Sequence, residues 1–176
     1  NWWGAPSGPG GVGSGSGDAV TAYIDFDPWS GAGQTANVGA TGIAYAIDAS
    51  DNGVADMTVT LATLPEAGGA INARIHMTNP GPHPDPSSTA MLYLEIFSDL
   101  PNYTFDATVV LDLTALGISN FDANTVVVYF NTTTNLWVLL DGVYNSTANT
   151  YTFTTNHFTL FAFLDGAATI SGYHNT

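Results

Sequence analysis

The sequence predicts an all-β protein: an antiparallel β-sandwich behind an extended N-terminal arm rich in glycine, proline and serine. Three observations carry this reading. Apolar and polar residues alternate with a period of two in several runs, no stretch keeps a helical period for long, and turn-forming residues separate the runs at short intervals. Two sheets packed face to face bury such strands most simply.

Taken in order, residues 1–39 read as the arm, whose first seventeen residues cannot make regular structure unaided. The sandwich is expected over residues 40–166, with "MTVTL" as an early strand. "INARIHM" alternates, directing Ile71, Ala73, Ile75 and Met77 one way and Asn72, Arg74 and His76 the other. "TNPGPHPDPSS" reads as an exposed proline-rich loop, followed by the strand "MLYLEIF". In "FDATVVLDL" the inward set is Phe105, Ala107, Val109, Leu111 and Leu113, against Asp106, Thr108 and Asp112. "LTALGISNF" is the one helix candidate. "TVVVYF" and "LWVLL" are strands joined through "FNTTTNLW", and "LDGVY" carries an Asp-Gly signal for a second hairpin. "TYTFTT" and "FTLFAF" complete the sandwich. Residues 167–176, with "ATISGY", read as a tail strand available for exchange with a neighbour.

Composition narrows the partners. Charged residues make up 9% of the chain, with 15 acids against the single base Arg74 and a net charge of −14. That balance argues against nucleic acid and anionic membranes, which need a basic surface. No run approaches the roughly 18 apolar residues of a membrane-spanning helix, so membrane insertion is not expected. The absence of cysteine excludes disulfides and thiolate chemistry. A start at Asn1 rather than Met reads as the mark of a removed upstream segment or of a piece of a longer chain.

Two resemblances follow from quoted motifs. From Ala73 to Gly166, "YLEIF", "FDATVVLDL", "TVVVYFNTTTNLWVLL" and "TNHFTLFAF" resemble a β-sandwich module found near the C-termini of archaeal and bacterial secreted surface proteins. These include archaeal proteins with a PGF-type sorting segment; Thr159 stands where serine is usual. The resemblance implies a spacer or assembly domain at the cell surface, without chemistry of its own. Residues 1–30, "NWWGAPSGPGG…GDAVTAYIDFDPWS", resemble the closing segment of secreted right-handed parallel β-helix proteins, with Asn1, Trp2, Trp3, Gly4, Gly8, Pro9, Asp25, Pro28 and Trp29 matching. In those proteins the tryptophans cap the last coil. With no solenoid ahead of Asn1 in this sequence, Trp2 and Trp3 either fold onto their own domain or dock on a neighbouring copy, unless an upstream β-helix has been cut away.

Candidate sites are few. "DASDNGVAD" spaces the oxygens of Asp48, Ser50, Asn52 and Asp56 around Gly53, as a Ca²⁺ loop requires, but Val59 occupies the twelfth position where an acid would complete a helix-loop-helix site. The competing reading is an ordinary Asn-Gly turn with solvated acids. His76, His83, His157 and His174 show no metal-ligand spacing, and no nucleophile elbow is present. The only glutamates are Glu66 and Glu95, the latter in the "YLEI" strand, and Arg74 reads as a surface charge. Sequons at Asn102, Asn131 and Asn145 fall at or near turns, so N-glycosylation is expected there.

These features point to a non-enzymatic extracellular structural protein: a glycosylated, self-assembling subunit of a cell-surface filament, sheath or surface layer. Its partner would be a second copy of the chain, through strand exchange or docking of the Trp2–Trp3 arm. The alternative is a carbohydrate-binding or spacer module of a larger secreted β-helix protein, with Trp29, Trp137, Tyr129 and Tyr151 as candidate sugar-stacking rings against a core or hairpin role for each.

Overall fold

A computed structural model describes residues 10–11, 19–20, 34–81, 83–86, 90–119, 121–122 and 124–164. The chain divides into two units, Asn1–Gly33 and Gln34–Thr176. In the first, β1 (Gly10–Gly11) and β2 (Ala19–Val20) pair in parallel.

The second unit is all-β, with no helix among the described residues. Its strands are β3 (Gln34–Val38), β4 (Ala44–Ile47), β5 (Met57–Thr63), β6 (Gly69–His76), β7 (Ala90–Ser98), β8 (Asp106–Asp112), β9 (Val126–Asn131), β10 (Leu136–Leu139), β11 (Gly142–Asn145), β12 (Thr150–Thr155) and β13 (Leu160–Leu164). They form a six-stranded sheet in the order β10-β9-β13-β7-β6-β3 and a five-stranded sheet in the order β11-β12-β8-β5-β4. Every pairing within these two sheets is antiparallel. The predicted antiparallel β-sandwich is the observed architecture.

Alternation builds the core. Leu92, Leu94 and Ile96 on β7 and Phe161 and Phe163 on β13 meet Val59 and Leu61 on β5 and Val109 and Leu111 on β8 in one apolar cluster. The inward set read from "FDATVVLDL" is buried in full, from Phe105 to Leu113. The six-stranded sheet is also apolar on its other face, where Tyr93, Val128, Phe130, Trp137, Leu160, Ala162 and Leu164 form a second cluster. That double burial explains why β13 reads as a near-continuous apolar run rather than an alternating one.

Several local expectations change. Gln34–Val38, placed in the arm by composition, is a sheet strand paired with β6 from Gln34↔Ala73 to Val38↔Gly69. Met77 lies beyond the end of β6 and is exposed, so the alternation in "INARIHM" stops one residue early. "LTALGISNF" makes turns instead of a helix: Leu116 N–H reaches Asp112 O at 3.0 Å, and Gly117, at φ 74°, halts propagation after one turn. The proline loop is mostly exposed, as expected, but is tied to the sheet. Trp137 Nε1–H donates to Pro84 O at 2.8 Å, and the His83 ring lies 4.3 Å from that of Phe130.

The Asp-Gly signal proves to mark a change of sheet. β10 belongs to the six-stranded sheet and β11 to the five-stranded one, so Leu140 and Asp141 carry the chain between layers. Leu140 N–H bonds Val127 O at 2.9 Å and its carbonyl receives the Tyr151 hydroxyl at 3.2 Å, tying the crossing to both layers. Gly142 follows because the Tyr151 ring packs against it, leaving no room for a Cβ.

Candidate functional site

The loop between β4 and β5 brings Asp48, Ser50, Asn52 and Asp56 together, and their oxygens are already in use. Asp56, 0% exposed, accepts Ala49 N–H on Oδ1 at 2.8 Å and Ser50 N–H on Oδ2 at 2.9 Å. Asp48, 8% exposed, accepts Asn52 N–H on Oδ1 at 3.1 Å and Gly53 N–H on Oδ2 at 2.6 Å, and the Ser50 hydroxyl donates to the same Oδ1 at 3.3 Å. Asn52 Oδ1 in turn accepts Val54 N–H at 2.8 Å. The two carboxylates therefore act as acceptors for a loop whose N–H groups converge on them, with Asp51 at φ 55° and Gly53 at φ 86° shaping the turn. No group of three or more His, Asp or Glu side chains suited to a metal ion gathers among the described residues.

A second polar cluster was not assembled by the sequence reading. Arg74 on β6 stands directly opposite Glu95 on β7, and its Nε–H donates to Glu95 Oε2 at 2.6 Å. His76, diagonal to Glu95 in the same ladder, donates from Nε2 to the same oxygen at 3.1 Å. The His76 hydrogen bond, aided by the Arg74 bond and charge, holds the Glu95 carboxyl down to about 2 against the opposing pull of burial. The Arg74 guanidinium also lies 5.1 Å from the Phe97 ring centre. Alternation had placed Arg74 and His76 on one face. Only the β6–β7 register, which is not local in sequence, could add Glu95. The cluster is a cross-strand clamp by the chain's sole base.

The three sequons differ in structure. Asn131 Oδ1 accepts Thr133 N–H at 2.9 Å and Thr134 N–H at 3.1 Å, and Asn145 Oδ1 accepts Thr147 and Ala148 N–H, each at 3.1 Å. Both therefore close hairpin turns through the oxygen. Asn102 instead clamps the backbone of Phe158 with both ends of its amide, accepting N–H at 3.0 Å and donating to O at 3.4 Å.

The aromatic candidates are buried or half-buried where they are described. Trp137 and Tyr151 are buried, and Tyr129 is half-buried with its ring centre 4.8 Å from that of His157. Burial, with a smaller contribution from Asp141, pushes the Tyr151 hydroxyl up to about 12, and burial lowers His157. A cleft of about 350 Å³ beside the layer crossing is lined by Phe121, Asp122, Thr125, Leu139, Asp141 and Tyr144, among others. Trp2, Trp3, Trp29 and His174, and the tail from residue 167, lie outside the described residues.

No family model matches this chain, and neither the curated proteins nor the solved structures contain a significant match to it.

Proposed function

We propose that the chain is a non-enzymatic structural subunit of an extracellular assembly such as a filament, sheath or surface layer, joined to further copies of itself. The observation that carries this reading is how the polar groups are spent. Asp48 and Asp56 hold a loop, Arg74, His76 and Glu95 clamp two strands, and Asn102 ties Phe158 to its neighbour. Such interactions reinforce a scaffold, and a chain without cysteine has no disulfides to do so. In this reading Trp2 and Trp3 supply one contact between copies, Asn102, Asn131 and Asn145 carry outward glycans, and calcium acts by screening a net charge of −14. The burial of the Trp137 and Tyr151 rings favours the assembly reading over sugar stacking.

The test is light scattering and electron microscopy of the full chain and of a chain lacking residues 1–17, across salt and calcium concentrations. Polymers that grow with salt and shrink on truncation support the reading. A full chain that stays monomeric at high salt and calcium overturns it, and a truncated chain that polymerises equally well removes the role given to Trp2 and Trp3.

A further inference from the structure

We propose that the cleft beside the β10–β11 crossing is a binding site for a primary alkylammonium group, its alkyl stem against the apolar lining and its cationic head at Asp122 and Asp141. The site does not depend on the self-assembly reading and goes beyond it. The cleft measures about 350 Å³, at the small end of the range for ligand sites. It lies where Leu140 and Asp141 carry the chain from one sheet to the other, and it takes its lining from both. Val126 and Leu139 come from the six-stranded sheet, Tyr144 and Tyr151 from the five-stranded one.

The uncharged part of the lining suits a methylene chain. The Phe121 ring centre lies 4.8 Å from that of Tyr144 and 5.4 Å from that of Tyr151. Both tyrosine hydroxyls are engaged, that of Tyr151 donating to Leu140 O at 3.2 Å and that of Tyr144 to Asn149 Oδ1 at 3.3 Å. Ring carbon and aliphatic groups are what these residues, with Val126 and Leu139, offer to a ligand.

Charge selects the head group. Asp122 and Asp141 are both exposed and both line the cleft. The chain's one arginine, Arg74, is held by Glu95 and does not line it. Asp122 is oriented by its own turn, accepting Asn124 N–H on Oδ1 at 2.7 Å and Asn124 Nδ2–H on Oδ2 at 3.3 Å. A carboxylate has about four acceptor positions, so these two bonds leave room for an ammonium. The Asp141 charge reaches the lining as well, since it helps to raise the Tyr151 hydroxyl. An anion is repelled here. A sugar would need an open ring face, and Phe121 and Tyr151 are buried. A bare metal ion would leave the apolar lining unused, whereas a cationic head on an apolar stem uses both parts. The chain contains no lysine, so the group comes from another molecule, either a free alkylamine or the lysine side chain of a different protein.

The experiment is isothermal titration calorimetry of the full chain at fixed ionic strength. The probes are n-butylamine and Nα-acetyl-lysine N-methylamide, which carry the same charge, with 1-butanol as the uncharged control. Each is titrated into the parent chain, Asp141→Asn, Asp122→Asn and Glu66→Gln. Glu66 is exposed and outside the lining, so its variant has the same net charge as the other two. Saturable binding of one amine per chain is expected, with no saturation by 1-butanol. Each aspartate variant should weaken it about fivefold, and Glu66→Gln should leave it unchanged. Tighter binding of n-butylamine supports a free amine as the source, and tighter binding of the lysine derivative supports a protein side chain. Equal weakening by all three variants would reveal a diffuse attraction to an acidic chain and overturn the site. Binding that neither aspartate variant weakens, or no saturable binding of either amine, overturns it too.

Discussion

Replacing Asp56 by alanine should unfold the β4–β5 loop and weaken the whole sandwich. The side chain is fully buried and receives two backbone N–H groups, those of Ala49 and Ser50. Its own backbone joins three strands: Asp56 N–H bonds Ile47 O at 3.1 Å, and Asp56 O accepts Asp112 N–H at 2.8 Å. Truncation orphans both loop donors at about 1–3 kcal/mol each, partly offset because a buried carboxylate no longer has to be desolvated. A net loss of about 3 kcal/mol is expected. At about 3 °C per kcal/mol for a chain of this size, the melting temperature should fall by roughly 9 °C. Asp56→Asn keeps one acceptor and should lose less. The assay is urea denaturation with matched samples in calcium and in chelator. If the N–H bonds hold the loop, the parent chain should keep its midpoint in chelator while the variant loses stability in both conditions. A loss below about 1 kcal/mol for Asp56→Ala would refute the reasoning, and a chelator-treated parent that matches the variant would show that calcium orders the loop.

Two further outcomes follow from the site geometry. Glu95, held at about 2 against an ordinary value of 4.5, should contribute stability that is full above pH 4.5 and drains away as pH falls towards 2, because the unfolded chain takes up the proton first. Glu95→Gln should flatten that stretch of the stability profile, measured as urea midpoint against pH, and an unchanged slope would show that the clamp does not govern it. Gly142→Ala should cost about 1–3 kcal/mol, since its methyl group must displace the Tyr151 ring that bonds Leu140 O; thermal melting at parent-like stability would place the ring elsewhere.

What the sequence made legible was local. The alternation along "FDATVVLDL" specifies which face of β8 is buried, and the Asn-rich turn after β9 marks a true hairpin. The Asp-Gly step before β11 was misleading because it suits a reversing turn, whereas β10 and β11 run the same way and the chain passes there from one sheet to the facing one. Leu140 and Tyr151 decide between these, through bonds to residues 11 and 13 positions away. "LTALGISNF" carries helix-like spacing, but Gly117 at positive φ ends it after a turn. The 48–56 loop was recognised as a convergence of oxygens. Its spacing alone could not say that the loop's own N–H groups would meet them. The Arg74–Glu95 clamp depends on a register between strands some twenty residues apart, which no local pattern encodes.

The position of β13 has a consequence for how such a chain is made. This strand is the last described strand of the sandwich in sequence, yet it lies between β7 and β9 near the middle of its sheet. Until residues 160–164 are available, β3-β6-β7 and β9-β10 remain separate ladders and Phe161 and Phe163 are missing from the core. Synthesis from the N-terminus therefore delivers the joining piece late, after all the strands it must join. A nascent chain so arranged stays unfinished until nearly the whole sandwich has emerged. Once β13 zips both halves together, the closure is non-local and cooperative, so folding should be slow to start and abrupt to complete.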